Sequence, residues 1–116
     1  MADDKILDLE SALEDLADDM EIYKEVLVVY MEDTPGMIEE MDTAFKNKNT
    51  EVLSRHAHSL KSSSRSIGGM KLGNIAADLE ANAKAGDFTT AEDMLAKIKE
   101  EFNALKQELA KAGALE

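Results

Sequence analysis

Only two histidines occur in the 116 residues, His56 and His58, and their spacing limits what they can do together. Each residue of a helix turns by about 100°, so these two side chains point about 200° apart. They therefore cannot chelate one metal ion. Each has to be judged by the residues that share its own face of the helix.

The direction of His58 follows from the apolar stripe of its helix. That stripe consists of Leu53, Ala57, Leu60, Ser64 and Ile67. Relative to it, His58 points about 140° away, Lys61 about 80° and Arg65 about 120°. His58 is therefore predicted to face outward beside two cations. His56, at about −60°, lies on the shoulder of the stripe and is better explained as a boundary histidine bonded to a nearby acceptor.

Positive charge is concentrated around His58. The whole chain carries a net charge of −12. Between Thr50 and Ile75 there are four basic residues and one acid, so this segment is +3 and the rest of the chain totals −15. A basic patch in an acidic protein is suited to holding a phosphoryl dianion. The overall acidity argues against nucleic acid as a partner.

An exposed imidazole beside cations can carry a phosphoryl group. Neutral imidazole is a competent nucleophile near pH 7, because its ordinary pKa is about 6.5 and one nitrogen can attack while the other keeps its proton. Lys61, one turn after His58, can stabilise charge on the transferring oxygens. Ser62 is small and leaves the ring accessible. The pattern predicts phosphoryl transfer on His58 with support from Lys61.

The sequence contains none of the parts of a kinase. It has no GxxxxGK[ST] segment, and Gly68-Gly69 with Gly73 is too weak a pattern to replace one. The acidic clusters Asp18-Asp19 and Glu39-Glu40-Asp42 are better explained as solvated helix faces than as Mg²⁺ sites. We expect a phosphoryl carrier without kinase activity and without a cofactor or metal of its own. A partner must supply the donor and the metal.

Helices must position these residues. One proline, no tryptophan and abundant good helix formers predict an all-α fold. The length suits a single domain over residues 1–116, of which the last two are a candidate cloning remnant. The sequence contains no cysteine, no leader pattern and no apolar run of about 18 residues, so we expect a soluble, cytoplasmic protein that contacts no membrane.

Caps, proline and glycine mark where the helices break. Breaks are predicted near Asp18 or Asp19, at Thr34-Pro35, at Asn49 or Thr50, at Gly68-Gly69, and at Gly86-Asp87 with a cap at Thr89 or Thr90. The segment 22–31 is apolar on nearly every side, which predicts burial against several neighbours. Short connections predict an antiparallel four-helix bundle with additional N-terminal helical structure.

The segment Ala57–Gly68, AHSLKSSSRSIG, closely resembles the signature A-H-x-L-K-G-x-x-x-x-[IL]-G of histidine-containing phosphotransfer domains. Residues 77–80 and 85–87 look like the L-E and G-D region of that family, and residues 23–35 resemble its second helix. The resemblance covers most of the chain. Ser62 departs from it, since the family usually has glycine there, and a serine hydroxyl can bond back to the carbonyl of His58.

The resemblance implies a bundle in which His58 takes a phosphoryl group from a receiver aspartate or a histidine kinase and passes it to a response-regulator receiver. Mg²⁺ would belong to the receiver. Lys61 would assist the transfer. The docking receiver would cover Ser54, Arg55, Ser62 and Arg65, and we expect the chain to be a monomer.

Two other functions stay open. A degenerate bundle would dock receivers without being phosphorylated, with Ser62 as its sign. The input domain of a chemotaxis-type histidine kinase would carry nearly the same histidine motif. A metal-carboxylate bundle is set aside, because no Glu-x-x-His pair occurs in the sequence.

Overall fold

The computed structural model describes residues 5–115, and within them the chain forms five α-helices and no strand. The helices are α1 (Leu9–Glu14), α2 (Met20–Lys46), α3 (Thr50–Ser66), α4 (Met70–Lys84) and α5 (Ala91–Lys111). Helix α3 packs against α2 and α4, and α5 packs against α4 and α2. The short α1 lies on α2. The predicted all-α bundle with additional N-terminal helical structure is confirmed, and none of these helices is long and apolar enough to cross a membrane.

Polar caps begin two helices where the sequence predicts them. The Asp19 carboxylate accepts two backbone N–H groups of the first turn of α2, at 3.0 and 3.2 Å. The Asn49 side chain accepts the N–H of Val52 at 3.2 Å and caps α3. Thr90 occupies the cap position of α5 but makes no side-chain hydrogen bond there. The breaks before α2, α3 and α5 are therefore confirmed.

The break predicted at Thr34-Pro35 is wrong, because α2 runs through both residues. The buried stripe of α2 continues across the proline on one face, through Tyr23, Leu27, Tyr30, Thr34, Ile38, Met41 and Ala44. The Thr34 hydroxyl is buried and donates to the Tyr30 carbonyl at 2.6 Å, so it does not cap a new helix. Burial of the stripe on both sides of Pro35 outweighs the one backbone hydrogen bond that proline removes.

Pro35→Ala should raise the free energy of unfolding by about 1–2 kcal/mol, because a proline inside a helix costs about 3 kcal/mol and a stiffer unfolded chain offsets part of that cost. Pro35 is exposed, so the substitution removes no core contact and restores a backbone donor. Urea unfolding measures the change. Glu39→Ala, at another exposed position of α2, is the control. A less stable Pro35→Ala protein would contradict this account of α2.

Two buried tyrosines join α2 to α3. The hydroxyl of Tyr23 donates to the Ile67 carbonyl at 2.6 Å, and the hydroxyls of Tyr30 and Ser64 share a hydrogen bond of 2.8 Å. Burial raises the pKa of both tyrosines to about 12, so both keep their protons at neutral pH. All five residues of the predicted α3 stripe are buried. This orientation of α3 turns His58 away from the core.

The apolar segment 22–31 of α2 is not buried on every side, which corrects the prediction. Ile22, Val26, Val28 and Val29 are between 39% and 57% exposed. Helix α2 packs on its neighbours through the face of its buried stripe, and these four side chains lie outside that face. Sequence periodicity does not separate core valines from surface valines when both occur in one continuous run.

The chain before α1 is bound to the turn between α3 and α4. The N–H of Asp8 donates to the Gly68 carbonyl at 2.7 Å, and the N–H of Lys71 donates to the Lys5 carbonyl at 2.9 Å. Gly68 has a φ of +88°, and a Cβ there would lie 2.5 Å from the carbonyl oxygen of Asp8. Only glycine fits this turn, which directs α4 back along α3.

Candidate functional site

His58 lies in the middle of α3 with its imidazole turned to solvent. The side chain is 58% exposed, in agreement with the predicted outward direction. The Nδ1 atom lies 2.9 Å from Oε2 of Glu80, a residue of α4. Among residues 5–115 the Nε2 atom has no hydrogen-bond partner. The ring is thus held by one nitrogen and open at the other.

Glu80 is the charged centre of the site, with a side chain only 8% exposed. Its Oε1 accepts from Lys61 Nζ at 2.7 Å, and its Oε2 contacts both Lys84 Nζ, at 3.1 Å, and His58 Nδ1. The hydrogen bond from Lys61, followed by those from Lys84 and His58, lowers the pKa of Glu80 to about 2, although burial opposes this shift. The carboxylate is therefore ionised at neutral pH.

The ionised carboxylate of Glu80 determines which nitrogen of a neutral His58 ring carries the proton. A carboxylate without a proton can only accept hydrogen bonds, so the neutral imidazole must carry its proton on Nδ1 to bond with Glu80. The lone pair of the ring then lies on Nε2, the nitrogen that faces solvent. Glu80 thereby prepares His58 as a nucleophile without covering it.

Small residues on α4 permit the close approach of α3 that this contact needs. Gly73 and Ala76 both belong to the buried face of α4. A Cβ on Gly73 would lie 2.7 Å from Cγ of Arg65, so the arginine stem packs directly over the glycine. The Arg65 guanidinium donates to Oδ1 of Asn74 at 2.9 Å. Arg65 is therefore held across the two helices, two turns from His58.

The other predicted partner-binding residues border the same exposed side of α3. A recess of about 330 Å³ beside the imidazole is lined by Ser54, Arg55, His58, Ser59, Glu80 and Lys84. Ser62 is exposed one turn after His58. In the described part of the chain its hydroxyl does not bond to the His58 carbonyl, and its own carbonyl accepts from Ser66 Oγ at 2.9 Å. The extra bulk of Ser62 therefore points to solvent.

His56 belongs to a different environment from His58. Its Nε2 atom lies 2.7 Å from Oε2 of Glu40 on α2, and its side chain is 21% exposed. This is the boundary position and nearby acceptor that the helical wheel predicts. The two histidines do not share a site.

Three residues of the two acidic clusters make ordinary structural contacts. Asp19 caps α2, Glu40 pairs with His56, and Asp42 accepts from Lys99 Nζ at 2.7 Å. Within residues 5–115 no group of three or more His, Asp or Glu side chains is arranged to hold a metal ion.

Two members of the site, Glu80 and Lys84, were not predicted from the sequence to act there. Glu80 belongs to the segment 77–80 that resembles the family, and Lys84 belongs to no motif of the sequence. Their spacing of four residues places both on one face of α4. That spacing shows that they meet each other, but not that this face of α4 meets His58 on α3.

The fold and the site define a helical bundle that presents one solvent-facing histidine, held from behind by a buried carboxylate that two lysines contact. The family model of the Hpt domain matches residues 25–108, which include α3, α4 and most of α2 and α5. The chain belongs to the Hpt domain family, whose members are phosphoryl carriers without a cofactor of their own and interact with receiver domains and histidine kinases. No curated protein and no solved structure matches the chain significantly.

Proposed function

We propose that this chain accepts a phosphoryl group on Nε2 of His58 from an aspartyl phosphate of a receiver domain, or from a histidine kinase, and passes it to a receiver aspartate. The observation that carries the proposal is the Glu80–His58 contact of 2.9 Å, which in the neutral imidazole places the proton on Nδ1 and the lone pair on solvent-facing Nε2. Family membership supplies the reaction class. The geometry supports Nε2 of His58 as the atom that accepts the group.

The phosphoryl group can move from the aspartate to His58 without the imidazole ring losing a proton. The Nε2 lone pair attacks phosphorus, an N–P bond forms, and the P–O bond to the aspartyl carboxylate breaks, with its electron pair leaving on that carboxylate. Nδ1 keeps its proton, so the phosphorylated ring is cationic. Ionised Glu80 faces that charge and stabilises it. Onward transfer to a second receiver is the same step in reverse, and Mg²⁺ would be held by the receiver.

Lys61 supports the transfer in two ways. Its ammonium group bonds to Oε1 of Glu80 at 2.7 Å, which holds the carboxylate in place behind the imidazole. It also adds positive charge one turn from His58, where the transferring oxygens arrive. The lysine predicted from the motif therefore acts partly through Glu80.

The surface of this chain on which the receiver docks would begin at His58 and extend to an apolar groove between α2 and α3. It would include Ser54, Arg55, Ser62 and Arg65. The groove has a volume of about 390 Å³ and is lined by Val26, Val29, Tyr30, Asp33, Thr34, Met37, Ser63, Ser66 and Ile67. Ser66 lies about 12 Å along α3 from His58. A partner that covers a standard interface of about 800 Å² over His58 therefore also reaches the groove. We assign the groove to the receiver that approaches His58.

Val29→Asp should weaken receiver binding by about tenfold or more, because it places a charge in the apolar part of this interface. Val29 is 57% exposed, so the variant keeps the core intact. Val28→Asp is the matched control, since Val28 is 56% exposed on another face of the same helix. Titration against a receiver that phosphorylates the wild type measures both. If both variants weaken receiver binding equally, the groove is not part of the surface on which the receiver docks.

The experiment that tests the function is the intact mass of the chain at neutral pH after incubation with receiver domains charged by a small phosphodonor. Acid is avoided because the N–P bond of phosphohistidine is acid-labile. A gain of one phosphoryl group supports the proposal. If receivers bind and no mass is gained, the chain is a docking module that is not phosphorylated.

A further inference from the structure

A second ammonium group lies beside His58 on the side away from Lys61. Lys84 is in the last turn of α4 and borders the recess that also contains Ser54 and Arg55. Ser54 and Arg55 precede His58 on α3, whereas Lys61 follows it by one turn. The two lysines therefore bracket the imidazole along the axis of α3.

The contacts of Lys84 place it within reach of a group bound to the ring. Its Nζ atom lies 3.1 Å from Oε2 of Glu80, the same oxygen that accepts from His58 Nδ1 at 2.9 Å. The ammonium nitrogen is therefore at most about 6 Å from the imidazole. His58 and Lys84 also line the same recess, so a group bound to the ring and the ammonium share that space.

Lys61 and Lys84 differ in how strongly Glu80 holds them. Lys61 is 23% exposed and makes the shorter contact, 2.7 Å, to Oε1. Lys84 is 66% exposed and makes the longer contact, to an oxygen that it shares with His58. Releasing Lys84 from Glu80 therefore disturbs the site less, since Lys61 and His58 continue to satisfy the carboxylate.

We propose that Lys84 contacts the phosphoryl group of phosphorylated His58, exchanging Glu80 Oε2 for a phosphoryl oxygen in the recess bordered by Arg55. This inference rests on the proposed function and adds a residue to it. Lys84 stabilises the phosphorylated carrier relative to the aspartyl phosphate of the receiver. It thereby sets how much of the phosphoryl group the carrier retains at equilibrium.

The test uses the full chain phosphorylated with phosphoramidate, followed by exchange with one receiver domain and by a rapid ³¹P NMR titration from about pH 9 to about pH 5.5, because a phosphoryl group takes up its last proton near pH 6. In Lys84→Gln the equilibrium should shift toward the receiver by roughly five- to tenfold. The phosphoryl group should also take up its last proton at a pH about half a unit higher than in the wild type. Lys84→Arg should restore both values, because it keeps the charge.

Lys97→Gln is the matched control, because Lys97 is 59% exposed and forms an i,i+4 pair with Asp93 far from the site in sequence. It should behave as the wild type. If Lys84→Gln leaves the equilibrium and the ³¹P titration unchanged in a chain that is phosphorylated, the role of Lys84 is overturned and the proposed function stands. A wild type that gains no phosphoryl group overturns both.

Discussion

His58→Gln is expected to abolish phosphorylation, so that the intact mass of the variant stays unchanged after incubation with a charged receiver at neutral pH. A glutamine amide offers no nucleophilic nitrogen, whereas the wild-type imidazole keeps a free lone pair on Nε2. His58 is more than half exposed, so its replacement removes no core contact. The variant should therefore be folded and still gain no mass. Circular dichroism and urea unfolding can establish that it is folded.

His56→Gln is the natural control for this experiment. Its Nε2 atom is already engaged with Glu40 at 2.7 Å, and it lies on the shoulder of α3 next to α2. The variant should gain one phosphoryl group as the wild type does. If His58→Gln gains mass, or if His56→Gln does not, the assignment of phosphorylation to His58 is wrong.

Glu80→Gln should slow phosphoryl transfer by about 10- to 100-fold while leaving receiver binding nearly unchanged. The amide can present its NH₂ group to Nδ1, which favours the tautomer with the proton on Nε2 and removes the nucleophilic lone pair. It also lacks the negative charge that faces the cationic phosphorylated ring. Rapid-quench measurement of transfer from a charged receiver gives the rate. An unchanged rate would reduce Glu80 to a structural role.

The same variant should change how stability depends on pH. The pKa of Glu80 is lowered to about 2 from an ordinary value of 4.5, so its contribution is fully present above about pH 4.5 and is lost as the pH falls through about 2. The stability advantage of the wild type over Glu80→Gln should therefore shrink by about 1–2 kcal/mol between pH 5 and pH 2. This range is smaller than the free energy that corresponds to the whole pKa shift of Glu80, because solvent screens its pair with the largely exposed Lys84. Glu108→Gln, which removes an exposed pair with Lys111, should show a much smaller change.

The direction of His58 could be predicted because it depends on one helix alone. A continuous stripe from Leu53 to Ile67 fixes the rotation of α3, and every residue of the stripe is buried as expected. The helix breaks at Asp19 and Asn49 were predictable for the same reason, since a cap bonds to backbone groups two or three residues away. Local geometry is readable from sequence spacing.

What could not be predicted depends on which helices become neighbours. Glu80 lies 22 positions after His58, and only the packing of α4 on α3 brings the two together. Pro35 has the local pattern of a helix start, but burial of the stripe on both sides keeps α2 continuous. Val29 has the character of a core residue, and it is exposed because no described helix packs over that face of α2. Each difference comes from tertiary packing that overrides a local preference.

The uncovered valines of α2 also make the colloidal behaviour of the protein depend on its charge. An apolar strip on the surface favours association between copies, and a net charge of −12 opposes it by mutual repulsion. That repulsion vanishes near the isoelectric point of about 4.5 and is screened by salt. Concentrated solutions should therefore stay clear at neutral pH and low ionic strength and turn cloudy when the buffer is acidified, well before Glu80 takes up its proton.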